Sequence, residues 1–147
     1  MEQFKLDIFK KDHESQVINF VTLSKEECDK IYASFCSAYM IKKQDRNDIF
    51  SVIQNRGHYI DFMNAGDKSF NLYRLIYGQN IGEMPNCLNV CWDSFCTIDI
   101  FDLNTIINFF DYIWYPSADD IIIFDESYKI CLLVRHDGVI YRLDKDK

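Results

Sequence analysis

Residues 121–124 read Ile-Ile-Ile-Phe and are apolar at every position. Successive side chains of a β-strand point to opposite faces of the sheet, so this strand would be apolar on both faces. Such a strand is stable only when both faces are covered, which predicts a central strand inside a layered structure. Acidic residues bound the run at both ends, so it is far shorter than the ~20 apolar residues of a membrane-spanning helix.

A β-hairpin is predicted directly after this strand. Two apolar runs flank the pair Asp137-Gly138, which is typical of a two-residue hairpin turn. In that register Val134 lies opposite Tyr141, Leu132 lies opposite Leu143, and Ile140 shares the other face with Leu133. Alternating apolar residues predict further strands at residues 4–9, 17–23, 58–63, 69–77 and 87–92. The loop at 64–67 predicts a hairpin between the third and fourth of these, and residues 78–86 are expected to be the least ordered stretch.

Helices are predicted where polar capping residues precede apolar positions spaced by three and four. Ser24 and Glu27 form a capping-box pattern that predicts a helix from residue 24 to about residue 43. A shorter helix is expected from about residue 47 to residue 55. Asp102 is placed to cap a third helix that ends before Pro116, because the residue preceding a proline disfavours helical geometry. The stripe that the first helix turns inward is Cys28, Ile31, Tyr32, Phe35 and Tyr39.

The chain of 147 residues contains only two prolines and five glycines and has no repeat or low-complexity linker. This predicts a single compact domain over residues 1–147. Strands joined by hairpins and grouped with about three helices indicate the α+β class with an antiparallel or mixed sheet. The oligomeric state stays open, since the edge formed by the last hairpin could pair with a second chain.

The negative charge of the chain is concentrated in residues 93–126, here called the acidic segment. This segment has eight Asp or Glu residues and no Lys or Arg, whereas the whole chain has a net charge of −7. It also contains many aromatic residues, which suit protein recognition. Aromatic side chains facing the core and acids facing water would explain most of this pattern, but ordinary solvated faces intersperse both signs of charge. The segment therefore indicates a contact surface for a basic partner.

Metal, cofactor and nucleic-acid sites are not expected. None of the six cysteines has the close pairing typical of zinc ligands, and no glycine-rich phosphate loop is present. The acidic balance disfavours direct nucleic-acid binding. The first residues carry charge and lack a cleavage site, so we expect a cytoplasmic protein with reduced cysteines and no membrane association.

Three segments of the chain resemble bacterial immunity proteins, the small cytoplasmic proteins encoded beside polymorphic and contact-dependent growth inhibition toxins. The segments are Trp114-Tyr115-Pro116-Ser117-x-Asp119-Asp120, Ile123-Phe124-Asp125-x-Ser127 and Val134-Arg135-His136-Asp137-Gly138. The resemblance implies a non-catalytic protein that binds and neutralises one toxin domain. Toxins of this kind are commonly nucleases with basic active-site clefts, which an acidic and aromatic surface would complement.

We therefore predict that the acidic segment binds a cognate protein toxin and that the chain is not an enzyme. The residues expected to contact the toxin are Asp102, Asp111, Tyr112, Trp114, Tyr115, Asp119 and Asp120. Trp114 is expected to contribute either to the core or to the interface. Two alternatives remain: a small cytoplasmic enzyme of hydrolase type with Cys, His and Asp in a deep pocket, and a regulatory adaptor that uses the same acidic surface.

Overall fold

The computed structural model describes residues 1–78 and 82–145 and has helices packed on both faces of a seven-stranded sheet. The strand order is β1-β4-β3-β5-β6-β7-β2, and all neighbouring strands are antiparallel. The elements are α1 (Gln3–Asp12), β1 (Phe20–Thr22), α2 (Lys25–Tyr39), a 3₁₀ helix (Lys43–Asp48), α3 (Ile49–Arg56), β2 (His58–Tyr59), α4 (Leu72–Tyr77), β3 (Cys87–Asp93), β4 (Thr97–Asp102), α5 (Leu103–Asn108), α6 (Phe110–Ile113), β5 (Ile121–Phe124), β6 (Cys131–Val134) and β7 (Ile140–Arg142). The predicted α+β class is confirmed, with six α-helices in the described residues instead of about three.

The prediction that residues 121–124 form a central strand is confirmed. Strand β5 lies between β3 and β6, and all four of its side chains are buried. Ile121 and Ile123 face the layer of α1, α4, α5 and α6, whereas Ile122 and Phe124 face α2 and α3. The sheet therefore has two separate apolar cores, one on each face.

Helix α2 confirms the capping-box prediction. Glu27 N donates to Ser24 Oγ at 3.3 Å, and Ser24 N donates to Glu27 Oε2 at 2.7 Å. Four of the five residues predicted to face inward are buried, and Ile31 is partly buried. The helix ends at Met40, which takes a left-handed backbone conformation with φ of 52°. The second predicted helix is also confirmed as α3.

The predicted strand at residues 4–9 is wrong, because this segment belongs to helix α1. Alternating apolar side chains suggested a strand, but the helix buries Lys5 and Phe9, which are four residues apart and share a face. Phe4 and Ile8 are left 47% and 41% exposed. The prediction for residues 17–23 holds only for Phe20–Thr22, which form the edge strand β1.

The predicted hairpin around residues 64–67 is also wrong. The short strand β2 pairs with β7, with His58 opposite Arg142. Residues 72–77 form helix α4, whose first turn is capped by Asn71 Oδ1 accepting from Arg74 N at 3.0 Å. Within the stretch expected to be least ordered, 78–86, residues 79–81 lie outside the described part of the chain.

The terminal hairpin exists, but its register differs from the prediction by one residue. Val134 lies opposite Ile140 and Leu132 lies opposite Arg142, so Ile140 shares a core with Val134 instead of Leu133. Gly138 N donates to Arg135 O at 2.8 Å, and Arg135 N donates to Val139 O at 2.9 Å. Gly138 has a φ of 83°, which makes this a three-residue loop ending in a left-handed glycine.

The third predicted helix is present but divided. Asp102 caps α5 as predicted, and the backbone leaves helical geometry at Phe109, where φ is −121° and ψ is 24°, before α6 begins. Helix α6 ends at Ile113, ahead of Pro116 as expected. Over the described ranges, no helix is long and apolar enough to cross a membrane.

Candidate protein-binding surface

The eight carboxylates of the acidic segment fall into two groups. Six of them accept hydrogen bonds from the protein itself: Asp93, Asp99, Asp102, Asp119, Asp120 and Asp125. Asp111 and Glu126 form no hydrogen bond or ion pair with any other described residue. Most of the acidity therefore stabilises the fold, and only part of it is free to meet a partner.

One of these six carboxylates, Asp119, pairs with Lys5, whose side chain is fully buried. Lys5 Nζ lies 2.5 Å from Asp119 Oδ2 and donates to Ile113 O at 2.9 Å. The ammonium also lies 4.5 Å from the ring centroid of Trp92 and 5.2 Å from that of Tyr115, within cation–π range. We call this group of Lys5, Trp92, Tyr115 and Asp119 the Lys5 junction. Helix α1 thus supplies a base that the acidic segment lacks.

A second buried carboxylate, Asp99, lies close to the Lys5 junction. Asp99 is fully buried and pairs with the amino group of Met1. It also accepts from Thr22 Oγ1 at 2.6 Å and from Trp92 Nε1 at 2.7 Å. Burying a charge is costly unless it is paired and hydrogen-bonded, and these partners meet that requirement. Asp99 is therefore a structural residue that no external partner can reach.

Trp114 and Asp119 belong to the interior side of this region. Trp114 is only 2% exposed, and its Nε1 donates to the carbonyl oxygen of Asp119 at 3.0 Å. Asp119 Oδ2 accepts from Tyr115 N at 2.8 Å in addition to Lys5. Of the two roles expected for Trp114, the structure shows the core role. Asp119 is an internal counter-ion and not a free surface charge.

Asp102 and Asp120 also have local partners, although both reach solvent. Asp102 Oδ1 accepts from Thr105 N at 2.9 Å and Asp102 Oδ2 accepts from Thr105 Oγ1 at 2.5 Å, and these bonds lower the pKa of the Asp102 carboxyl. Asp120 Oδ1 accepts from His136 N at 2.7 Å and lies 3.3 Å from Arg135 Nε. These two carboxylates cap a helix and hold the terminal hairpin.

Of the other predicted residues, Tyr112 and Tyr115 are partly buried and lie against α1, and Asp111 is exposed on α6. Phe4, Ile8 and Asp12 are spaced by four residues and therefore share one side of α1. The ring of Tyr115 meets Phe4 edge-on with a centroid distance of 5.8 Å. At the other end of the row, Tyr112 Oη donates to Asp12 Oδ2 at 3.1 Å. We call Phe4, Ile8, Asp12, Tyr112 and Tyr115 the α1–α6 surface. Asp111, next to Tyr112 on α6, borders this surface and lines a small pocket with Asn71 and Leu72.

The electrostatics of the α1–α6 surface are moderately acidic. Asp12 lies on it and Asp111 borders it, Asp7 and Lys11 flank the exposed row on α1, and Lys11 is the one base among these four side chains. Burial raises the pKa of the Tyr112 phenol, and the hydrogen bond to Asp12 and the negative charge of Asp12 raise it further. Burial and the charges of Asp12 and Asp119 raise the pKa of Tyr115. Both phenols therefore keep their protons and can donate hydrogen bonds at neutral pH.

Sequence reasoning missed Phe4 and Ile8 because it assigned residues 4–9 to a strand. The available signal was the three-residue spacing of Leu6 and Phe9, which places both on one helical face and turns Phe4 and Ile8 away from it. Phe4 and Ile8 extend the predicted aromatic surface onto an element remote in sequence. The predicted contact residues thus divide between this surface with its border, the interior, and the two locally bonded carboxylates Asp102 and Asp120.

An enzyme of hydrolase type would need Cys, His and Asp side chains together in a deep pocket. A cleft of about 570 Å³ contains Cys87 and Asp125 but no histidine. The three histidines lie elsewhere: His13 beside Tyr112, His58 beside Asp144 and His136 beside Asp120. The described residues also contain no group of three or more His, Cys, Asp or Glu side chains that could hold a metal ion.

The chain was compared with protein-family models, with curated proteins and with solved structures, and none of them matched.

Proposed function

We propose that this chain is an immunity protein that binds and neutralises a cognate bacterial toxin domain through the α1–α6 surface. The observation that carries the proposal is the exposed row of Phe4 and Ile8, which are 47% and 41% exposed. Phe4 meets Tyr115, and Ile8 lies one helical turn before Asp12, which accepts from Tyr112. Scattered exposed apolar residues need no explanation, but a row bordered by aromatic and acidic side chains is typical of a protein contact.

Each part of the α1–α6 surface has a role in this proposal. Phe4 and Ile8 would be the apolar anchors, because aromatic and aliphatic side chains that fill partner pockets dominate binding energies. Tyr112 and Tyr115 would add ring contacts and hydroxyl donors at the rim. Asp111 would accelerate encounter with a basic toxin, since opposite fields steer association.

The Lys5 junction would make this surface ready to bind before the toxin arrives. Lys5 joins α1 to Asp119 and to the carbonyl of Ile113 at the end of α6, so the two helices that form the surface are held together. A surface that is already ordered loses less conformational entropy on binding. Neutralisation would follow from covering a basic active-site cleft, such as that of a nuclease, and would need no turnover.

Co-expression in bacteria tests the proposal. The toxin domain encoded beside this gene is expressed with the intact chain, with the double variant Phe4→Ala/Asp111→Lys, or with the control Tyr73→Ala, which changes another exposed aromatic residue. We expect the intact chain and the control to restore growth and the double variant to protect poorly. Binding of the toxin domain without protection would favour a regulatory adaptor, and equal protection by all three forms would contradict the role of this surface.

A further inference from the structure

One end of the sheet is not covered by helices and forms the floor of the cleft of about 570 Å³. Asn89 and Ile100 line this floor on the face that α2 and α3 cover elsewhere. One wall consists of residues 83–86, which precede β3, and the other consists of residues from 125 to 129, which follow β5. The volume lies in the range of ordinary ligand sites, and the cleft is separate from the α1–α6 surface.

Asn89 is the polar group at the floor of this cleft and is only 6% exposed. Its Nδ2 donates to the carbonyl oxygen of Phe124 at 3.3 Å, which fixes the orientation of the amide. Asn89 Oδ1 accepts no hydrogen bond from the described residues. Every fully buried side-chain nitrogen or oxygen atom of the described residues has a hydrogen-bond partner. Because Asn89 Oδ1 has none, it is not fully buried, and it reaches the cleft that Asn89 lines. This oxygen is therefore an open acceptor, held in place by the bond to Phe124 O, to which a donor from a bound ligand could bind.

The charged groups around the floor favour a cationic ligand. Glu83 and Glu126 line the walls and have no ion-pair partner in the described chain, whereas Asp125 is saturated by Ser127 and by Ile130 N at 2.7 Å. Lys129 is the single base among the lining residues, so the three carboxylates leave the cleft with an excess of negative charge. The apolar lining comes from Met84, Pro85 and Ile100.

We propose that this cleft binds the guanidinium group of an arginine side chain from a polypeptide. Guanidinium is a planar cation with five N–H donors and no acceptor, which suits acceptors placed on a floor and on two walls. Its alkyl stem would pack on Met84, Pro85 and Ile100, as long basic side chains do on apolar surface. The proposal is independent of toxin neutralisation, because it rests on different residues and is tested without a toxin.

The test titrates the intact, isotope-labelled chain with N-acetyl-arginine methylamide and follows its NMR spectrum. Matched probes are the citrulline analogue, which has nearly the same shape without the charge, and the lysine analogue. We expect saturable shifts of the Asn89 side-chain amide with the arginine probe at millimolar concentrations, and clearly weaker effects with the other two. The double variant Glu83→Gln/Glu126→Gln should weaken arginine binding about fivefold, because two exposed charge contacts are lost.

The control is Glu26→Gln, which removes an exposed carboxylate of α2 that pairs with Lys30. Both carboxylates changed in the double variant are exposed, so the fold should be retained, and unchanged spectra away from the cleft verify this. Equal shifts with citrulline or lysine would overturn the assignment to guanidinium. Shifts that are absent up to about 50 mM, or unaffected by the double variant, would overturn the site itself.

Discussion

The Lys5 junction and the α1–α6 surface are both formed by helix α1 and the acidic segment. The junction pairs its charges internally, whereas the surface leaves side chains exposed. In the junction, Asp119 has a side chain that is 12% exposed and pairs with a fully buried lysine. At the border of the surface, Asp111 is exposed and has no partner among the described residues. An acidic segment without bases is therefore not by itself a binding surface. Part of its counter-charge comes from Lys5, 114 residues before Asp119 in the chain.

The largest effect is expected from Lys5→Met, which removes the base of the Lys5 junction and should lower the free energy of unfolding. The variant leaves Asp119 partly buried without its ion-pair partner, and removing one member of a buried pair costs about 3 kcal/mol or more. The free energy of unfolding, measured by urea denaturation, should fall by that amount. The control Lys11→Met changes an exposed lysine of the same helix and should stay within about 0.5 kcal/mol of the parent. Equal losses in the two variants would contradict the structural role of the junction.

Phe4→Ala should act on binding and leave stability almost unchanged. Phe4 is 47% exposed, so its truncation removes little from the core but would remove an anchor from the toxin interface. We expect affinity for the toxin domain to fall about 30-fold, in the range of an interface hot spot. Isothermal titration calorimetry measures this change, with Tyr73→Ala as the matched exposed aromatic. If Phe4→Ala binds as tightly as the control, the row on α1 is not an anchor.

Asp102→Ala tests a carboxylate that serves the fold although it is exposed. Loss of its bonds to Thr105 should lower the free energy of unfolding by about 1 kcal/mol, as for other helix caps. Because folding lowers the pKa of Asp102, this stabilisation is complete above its unfolded pKa of about 3.9 and is lost as the pH falls through the lower folded value. The difference from the parent should therefore shrink in acid. A difference that stays constant from neutral pH into strong acid would show that the carboxylate charge plays no part.

The smallest effect is expected from Asp111→Lys and concerns the rate of association. Reversing this free charge should slow binding to a basic toxin domain several-fold at low ionic strength, and the effect should shrink as salt screens it. Stopped-flow measurements at two salt concentrations report the association rate and its dependence on salt. Glu26→Lys, on the opposite face of the sheet, is the control and should change the rate less. The same slowing in both variants would indicate a general charge effect instead of local steering.

The parts of the fold that were predictable are those with strong local chemistry. The capping box at Ser24 and Glu27, the cap at Asp102 and the fully apolar strand β5 each specify their structure within a few residues. The terminal hairpin was located by its Asp-Gly pair, but its register was missed by one residue. Three-residue and two-residue loops share that signature, and only the hydrogen bonds around Arg135 distinguish them.

The parts that were not predictable depend on contacts between segments remote in sequence. Residues 4–9 alternate in polarity like a strand, and what favours the helix is the burial of Lys5 against Asp119 together with the packing of Phe9. Counting acidic and aromatic residues along the chain identifies Asp111, Tyr112 and Tyr115 as candidates. It does not reveal that Asp99 and Asp119 are paired internally. The composition of a surface is visible in sequence, whereas the pairing of its charges is not.

Cross-saturation NMR on the complex of the isotope-labelled chain with its toxin domain would show whether the α1–α6 surface touches the toxin. Saturating the toxin signals reduces the intensity of those side chains of the chain that touch it. Our account predicts loss of intensity at Phe4, at the Ile8 methyl groups and at Tyr115, with no change at the buried Trp114. A stable complex in which Phe4, Ile8 and Tyr115 keep their full intensity would contradict the account.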